Sequence, residues 1–128
     1  MGIRKDKLTD DQKKEIERLR QFVARNRLDA RMNGTKWRAA IDAVMAIPGY
    51  KASFRVKGVT DSAEPPVGVW DFAFPENVPL YNSIEWLELN GSGDFREALK
   101  RELGAAGIPI EETAGGISII GYARAGRK

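Results

Sequence analysis

The stretch 84–89, Ile-Glu-Trp-Leu-Glu-Leu, constrains the fold more than any other part of this chain. It is rich in residues that favour strands, and turn-forming residues flank it at 82–83 and 90–93. A regular strand places Ile84, Trp86 and Glu88 on one face and Glu85, Leu87 and Leu89 on the other. Neither face is purely apolar. One glutamate must therefore lie at the sheet rim or in a satisfied polar pocket, because an unpaired buried charge is too costly.

Three helices are predicted from apolar residues that recur at helical spacing. The first begins with a capping box formed by Thr9 and Gln12 and runs to about residue 26. Thr35 is the predicted N-cap of the second helix. Ser92 or Asp94 is the predicted cap of the third.

Four strands are predicted, over residues 53–59, 67–74, 84–89 and 117–123, so the element order is α-α-β-β-β-α-β. Short connections between successive strands favour antiparallel pairing. We therefore predict an α+β fold, a two-layer sandwich in which helices cover one face of a mainly antiparallel four-stranded sheet. Residues 1–31 are predicted to form a basic amphipathic helical extension appended to a single α+β domain, residues 32–128.

Composition removes several kinds of chemistry. The chain has no cysteine and no histidine, which excludes disulfides, thiolate nucleophiles, imidazole bases and imidazole-bound metals. We expect no enzymatic activity and no cofactor. The charged first residues and the lack of an apolar run of about 20 residues predict a cytoplasmic protein that does not enter a membrane.

Charge is divided along the chain. Residues 1–38 contain twelve Lys or Arg against six Asp or Glu, whereas residues 39–128 contain nine against twelve. Between Gly58 and Phe95 there are seven acidic residues and no basic one. The leading hypothesis is a protein-interaction module that presents an acidic sheet surface to a basic protein partner. The residues predicted for this surface are Asp71, Glu76, Tyr81, Glu85, Trp86 and Glu88.

Two alternatives stay open. The first is nucleic-acid binding by the basic residues Lys13, Lys14, Arg18, Arg20, Arg25, Arg27 and Arg31. The second is a carboxylate- or divalent-metal-dependent enzyme built on Asp71 and Glu88, with Lys57 or Tyr81 assisting. Glu85 and Glu88 are predicted on opposite faces, so they do not form a catalytic pair. The narrow apolar stripe of the first helix predicts either loose docking on the domain or pairing with a second copy.

Trp70 and Trp86 fall on the second and third predicted strands. Such rings either pack in a core or form an exposed platform on which single-stranded nucleic acid stacks. The surrounding residues are acidic, which disfavours the platform. We interpret both rings as core residues.

Two motifs carry a family resemblance: Asn-Gly-Thr-Lys-Trp at 33–37 and Ile-Glu-Trp-Leu-Glu at 84–88. The sequence from about residue 32 to 123 resembles a family of small, uncharacterised bacterial proteins, a domain of unknown function. The resemblance implies a compact, self-contained domain and transfers no activity. By analogy alone, its size and acidic sheet are similar to those of small bacterial immunity proteins.

Overall fold

The computed structural model describes residues 9–61, 63–76, 78–79 and 81–124, so residues 1–8 of the predicted extension lie outside it. The described residues form three α-helices and six β-strands. The helices are α1 (Asp10–Arg25), α2 (Gly34–Met45) and α3 (Asp94–Ala105). The strands are β1 (Leu28–Ala30), β2 (Phe54–Gly58), β3 (Ile84–Asn90), β4 (Ile110–Glu112), β5 (Gly116–Ile120) and β6 (Tyr122–Arg124). The predicted α+β class is confirmed.

The larger sheet has the order β2-β3-β5-β4, and every neighbouring pair is antiparallel. One of its strands differs from prediction. Residues 67–74 form a loop joined to β2 by a single bridge between Asp71 and Phe54, because Gly68 (φ 82°) and Ala73 (φ 57°) interrupt the extended backbone. The fourth strand of this sheet is instead β4, whose three residues are too few to show an alternating pattern.

The inner face of this sheet packs against α2 and α3. Its buried residues are Phe54, Leu87, Leu89, Ile117 and Ile119, and they meet Trp37, Ala40, Ile41 and Val44 of α2 and Leu99 and Leu103 of α3. All of these side chains are almost fully buried. The predicted stripe of α2 is therefore confirmed as core, although its last residue, Met45, is exposed.

The helix starts follow the predicted rules in part. The capping box of Thr9 and Gln12 is present at α1. At α2 the cap is Asn33, whose side chain accepts from the backbone N–H of Lys36 at 2.8 Å, so the prediction of Thr35 is wrong. At α3 the cap position is Gly93, with no side-chain cap hydrogen bond, so both predicted caps are wrong.

A second, two-stranded sheet joins the two ends of the described chain. In it β1 pairs antiparallel with β6, and α1 packs beside it through Leu19, which meets Leu28 and Val59. The predicted last strand, 117–123, is thus divided at Gly121 into one strand for each sheet. Residues 28–30 of the predicted extension pair with a strand of the predicted domain.

A β-bulge in β3 changes the faces predicted for its residues. Lys57 lies opposite Trp86, but the next residue of β2, Gly58, lies opposite Ile84, so Glu85 is the extra residue. Ile84 consequently turns into the apolar core, and Glu85 joins Trp86 and Glu88 on the outer face. The prediction that Glu85 and Glu88 point to opposite faces is therefore wrong.

Candidate ligand-binding site

A row of polar residues crosses the outer face of the four-stranded sheet. Arg55 on β2, Glu88 on β3, Ser118 on β5 and Glu111 on β4 are successive cross-strand partners. A cavity of about 560 Å³ opens over this row. Its other walls include Trp70, Trp86, Glu85, Thr113, Ile120 and Tyr122. We call this cavity the outer pocket.

Arg55 and Glu88 form the first ion pair of the outer pocket, with side chains only 15% and 4% exposed. Arg55 Nε donates to Glu88 Oε1, and the hydroxyl of Thr113 donates to Glu88 Oε2. Arg55 Nη1 also donates to the carbonyl of Pro65 at 2.9 Å. Both carboxylate oxygens of Glu88 are therefore engaged, and the guanidinium ties β2 to the loop above the pocket.

Lys57 and Glu85 form a second buried ion pair on the same face. The distance from Lys57 Nζ to Glu85 Oε1 is 2.7 Å, and the two side chains are 10% and 9% exposed. This pair depends on the bulge, because only the extra residue in β3 brings Glu85 to the face of Lys57. Both glutamates of the central strand thus lie in satisfied polar surroundings, as the cost of an unpaired buried charge requires.

Two tryptophans lie next to the Arg55 guanidinium. Its Cζ is 5.2 Å from the ring centroid of Trp86 and 6.0 Å from that of Trp70, within the range of cation–π attraction. Trp70 lies on the loop, next to the Asp71 residue that bridges to β2. Its ring packs over Gly115, so that a Cβ added to Gly115 would lie 3.2 Å from Cζ2 of Trp70. Both rings are half-buried and line the cavity, so the interpretation of them as core residues is wrong.

The turn between β4 and β5 is held from the helical side by Arg96 of α3. Its guanidinium donates to the carbonyls of Thr113 at 2.8 Å and Gly116 at 3.2 Å. The Thr113 hydroxyl in turn accepts from the backbone N–H of Gly116 at 2.9 Å. These bonds fix the hydroxyl that donates to Glu88.

The rim of the outer pocket carries excess negative charge. Glu64 and Glu111 line the cavity and are exposed, and neither forms a salt bridge within the described part of the chain. With Glu85 and Glu88 they contribute four negative charges, whereas Arg55 and Lys57 contribute two positive ones. The balance is −2, and it comes from the two rim carboxylates.

The Ser118 hydroxyl is the exception among the buried polar groups of the pocket. The residue is 5% exposed, lies in the polar row between Glu88 and Glu111, and lines the cavity. No described residue forms a hydrogen bond with its side chain. Every described side-chain polar atom that is sealed from solvent has a hydrogen-bond partner, so the unpartnered Ser118 hydroxyl is not sealed. The hydroxyl therefore faces the cavity.

Of the six residues predicted for an acidic surface, the structure brings together three. Glu85, Trp86 and Glu88 line the outer pocket, where both carboxylates are buried in ion pairs instead of being presented to solvent. Tyr81 lies on the other side of the sheet, stacked on Trp37 with ring centroids 6.1 Å apart. Asp71 and Glu76 are exposed on loops and are not among the residues that line the cavity.

The basic residues predicted for nucleic-acid binding are all exposed, but acidic residues accompany them. Arg18 and Arg20 pair with Glu15 and Glu17 at 3.3 and 3.6 Å. The segment of α1 contains five basic and four acidic residues, so its net charge is only +1. The remaining members, Lys13, Lys14, Arg25, Arg27 and Arg31, are spread over α1 and the connections on either side of β1.

The pair proposed for carboxylate or metal chemistry is not assembled. Asp71 is exposed on its loop, whereas Glu88 is held by Arg55 and Thr113. The described residues contain no group of three or more acidic, His or Cys side chains placed to hold a metal ion. None of the described helices has the length and apolar character needed to cross a bilayer.

Sequence reasoning missed Arg55, Thr113, Ser118 and the true position of Trp70. A usable signal existed for Arg55, because Arg55 and Lys57 alternate with Phe54 and Val56, which places two cations on the polar face of a strand. Their acidic partners on β3 depend on strand register and on the bulge, which no local pattern reports.

Comparisons with known proteins identify the family of this chain. Neither the curated proteins nor the solved structures contain a match to this chain. A family model matches residues 19–126, a longer segment than the predicted resemblance over about 32–123, because it includes the second half of α1 and all of β1. Its description is a family of unknown function. The chain belongs to this family, DUF6678.

Proposed function

We propose that this protein is a binding protein and that the outer pocket is the site where it receives a small polar ligand. The observation that carries the proposal is that Arg55, Glu85 and Glu88, three of the four members of two buried ion pairs, line an open cavity. A volume of about 560 Å³ is in the range of small-molecule sites, which place a few polar groups among apolar and aromatic walls.

Stability alone does not account for these ion pairs. Replacing a buried ion pair by apolar residues of similar volume is often neutral or stabilising, because the desolvation of two charges offsets their attraction. A domain selected only for stability has no use for Arg55, Lys57, Glu85 and Glu88 in this place. Their position at a cavity supports a role in recognition, and we propose binding in preference to catalysis because both oxygens of Glu88 are already engaged.

The proposal is tested with a variant that keeps the packing and removes the charges. In Arg55→Met/Glu88→Met, both side chains stay long but become apolar, so the sheet is expected to fold. A library of small metabolites is screened against the wild type by ¹H–¹⁵N spectra, in which the indole N–H signals of Trp70 and Trp86 report the pocket and that of buried Trp37 is the internal reference. Compounds that shift the pocket signals should bind the variant at least about tenfold more weakly, because the variant removes the polar groups at the centre of the cavity wall.

The matched control is Arg101→Met/Glu102→Met, which removes an exposed ion pair of α3, with an N–O distance of 3.1 Å, on the helical side of the molecule. Binding should be unchanged in this control. Equal binding by wild type and the Arg55/Glu88 variant, or a failure of every compound to shift Trp70 or Trp86, overturns the proposal.

A second candidate is the predicted interaction with a basic protein partner. The observation that favours it is a cluster of exposed apolar side chains, Val67, Val69 and Phe72, on the loop beside the pocket and next to acidic Asp71. Exposed apolar residues of this kind often mark protein contacts. A native pull-down with Val69→Ser/Asp71→Ala as the comparison tests it, and a partner retained equally by both proteins argues against this surface.

Four further expectations are carried forward as proposals. They are nucleic-acid binding through α1, pairing of two copies through α1, a bacterial source and a cytoplasmic location. Salt-dependent DNA and RNA binding tests the first, and sedimentation equilibrium of the wild-type protein tests the second. A survey of the organisms that encode family members tests the bacterial source. Fractionation of the native host cells tests the cytoplasmic location.

A further inference from the structure

We infer that the outer pocket takes an organic cation, a protonated amine or a guanidinium carried on an apolar body, with its N–H donors directed to the Ser118 hydroxyl and its charge facing Glu64 and Glu111. The inference rests on the proposed function and specifies its ligand. It follows from asking which groups of the pocket are left without a partner inside the protein.

The cations of the pocket are already neutralised. Arg55 is bound to Glu88 and lies beside two indole rings, and Lys57 is bound to Glu85. An anionic ligand would have to compete with these buried carboxylates. The carboxylates of Glu64 and Glu111, by contrast, have no salt bridge with any described residue, so the uncompensated charge that a ligand meets is negative.

The Ser118 hydroxyl gives the site a directional contact. The residue is buried, but its hydroxyl is open to the cavity and has no hydrogen-bond partner among the described residues. Ser118 is the direct cross-strand partner of Glu111, and side chains so paired have Cβ atoms about 5 Å apart. An ammonium or guanidinium group at this point donates to the hydroxyl while it stays next to the carboxylate.

The remaining wall suits the body of such a ligand. Trp86, Ile120, Tyr122 and Val67 line the cavity and provide apolar surface around the polar row. Indole faces attract cations as well as apolar groups. A ligand with a cationic head and an apolar or aromatic body therefore matches both parts of the pocket, whereas a compact inorganic ion matches only one.

Three probes that share a phenylethyl group and differ in charge separate the effect of charge from the effect of shape. Phenethylamine is a cation, 2-phenylethanol is neutral and 3-phenylpropionate is an anion. Titrations at neutral pH are followed by the indole N–H signals of Trp70 and Trp86, with Trp37 as reference. We expect the amine to bind at least about tenfold more tightly than the alcohol and the anion to bind most weakly, because the rim carboxylates attract a cation and repel an anion.

Two sets of variants assign the preference to the proposed residues. In Glu64→Gln/Glu111→Gln the affinity ratio of amine to alcohol should fall to near one, whereas the control Glu97→Gln/Glu102→Gln on α3 should keep it. In Ser118→Ala the amine should bind about fivefold more weakly, the loss of one hydrogen bond. The rim acids are exposed, and unchanged reference spectra will show that the variants fold.

The outcomes separate this inference from the proposed function. If the alcohol or the anion binds as tightly as the amine, or the preference survives in Glu64→Gln/Glu111→Gln, the cation assignment is overturned. Binding of those probes that is lost in Arg55→Met/Glu88→Met would then leave the proposed function standing. If none of the three probes shifts Trp70 or Trp86, the cation assignment falls, and the metabolite screen decides the proposed function separately.

The cation has two possible sources, a free metabolite or a basic side chain of a protein, and further probes separate them. Blocked arginine and lysine, each an Nα-acetyl amide, present the side chain as a partner protein would. Tighter binding of a blocked amino acid than of phenethylamine supports a protein source, and the reverse order supports a free amine.

Discussion

The two faces of the four-stranded sheet are built from alternate residues of the same strands, yet they obey different rules. On the inner face, Phe54, Leu87 and Ile117 belong to an apolar core that they share with α2 and α3. One residue further along each strand, Arg55, Glu88 and Ser118 form the polar row under the outer pocket. The inner face is what a stable domain requires. The outer face is not explained by stability, so it is where function should be sought.

The largest effect is expected on the inner face. Phe54 is fully buried, and its ring packs edge-on against Phe74 with centroids 5.5 Å apart. Phe54→Ala should lower the free energy of unfolding by about 3–5 kcal/mol, the usual loss for a truncated core phenylalanine. Urea unfolding followed by circular dichroism measures it. Phe95→Ala, at a partly exposed ring, is the control, and equal losses in the two variants would contradict the assignment of the inner face as the core.

A smaller loss of a different origin is expected on the outer face. Glu88→Ala leaves the Arg55 guanidinium largely buried beside two indole rings without its carboxylate, which should cost about 3 kcal/mol. Arg55→Met/Glu88→Met should regain most of that stability while it loses ligand binding. The two faces differ in this respect. Removing the second partner of the ion pair restores stability on the outer face, whereas removing a second apolar side chain does not restore a truncated core.

The same urea measurement checks the pair. If the double variant is no more stable than Glu88→Ala, the ion pair is itself a source of stability. The contrast between the faces would then be wrong.

The bulge that brings the two glutamates to one face is tested at Gly121. A Cβ at this position would lie 2.1 Å from the carbonyl oxygen of Ile84, so the backbone beside Glu85 must shift. Gly121→Ala should cost about 2 kcal/mol, as overpacking does, and should weaken the contact between Glu85 and Lys57. The same exchange at Gly104 of α3, where a Cβ meets nothing within 4 Å, should be neutral or stabilising by up to about 1 kcal/mol.

The same Gly→Ala exchange is expected to lower the stability at Gly121 and to keep or raise it at Gly104. Thermal unfolding of both variants measures the difference. If Gly121→Ala is as harmless as Gly104→Ala, the close approach of the two backbones is not required for the bulge.

The inner face could be predicted from sequence, and the outer pocket could not. The stripe from Trp37 along α2 and the alternation of Phe54 with Arg55 are local periodicities, and they identify core residues correctly. The position of Glu85 depends instead on one inserted residue, and a shift of one residue exchanges the faces of a strand. Trp70 and Thr113 reach the pocket from a loop and a turn, which have no periodicity to read.

The smallest expected effect compares two tyrosines, one beside each face. The Tyr50 hydroxyl donates to the carbonyl of Asn90, and its ring packs on Phe95 with centroids 5.2 Å apart. Burial raises the pKa of Tyr50 from 10.0 to about 12. Tyr122 lines the outer pocket, and burial raises its pKa as well. Ultraviolet titration of wild type, Tyr50→Phe and Tyr122→Phe should show that one phenol titrates near pH 12 and that it is lost only in Tyr50→Phe.

Stability should respond in the same window. Below pH 10 both the folded and the unfolded protein keep the Tyr50 proton, so its burial carries no pH dependence there. As the pH rises from 10 towards 12, the unfolded state loses the proton first, and the free energy of unfolding should fall. The difference between wild type and Tyr50→Phe across this window isolates the effect from the titration of lysines. Parallel curves for the two proteins would mean that the phenol is as well hydrated in the folded chain as in the unfolded one, and that the inner face is wetter at Tyr50 than its packing on Phe95 implies.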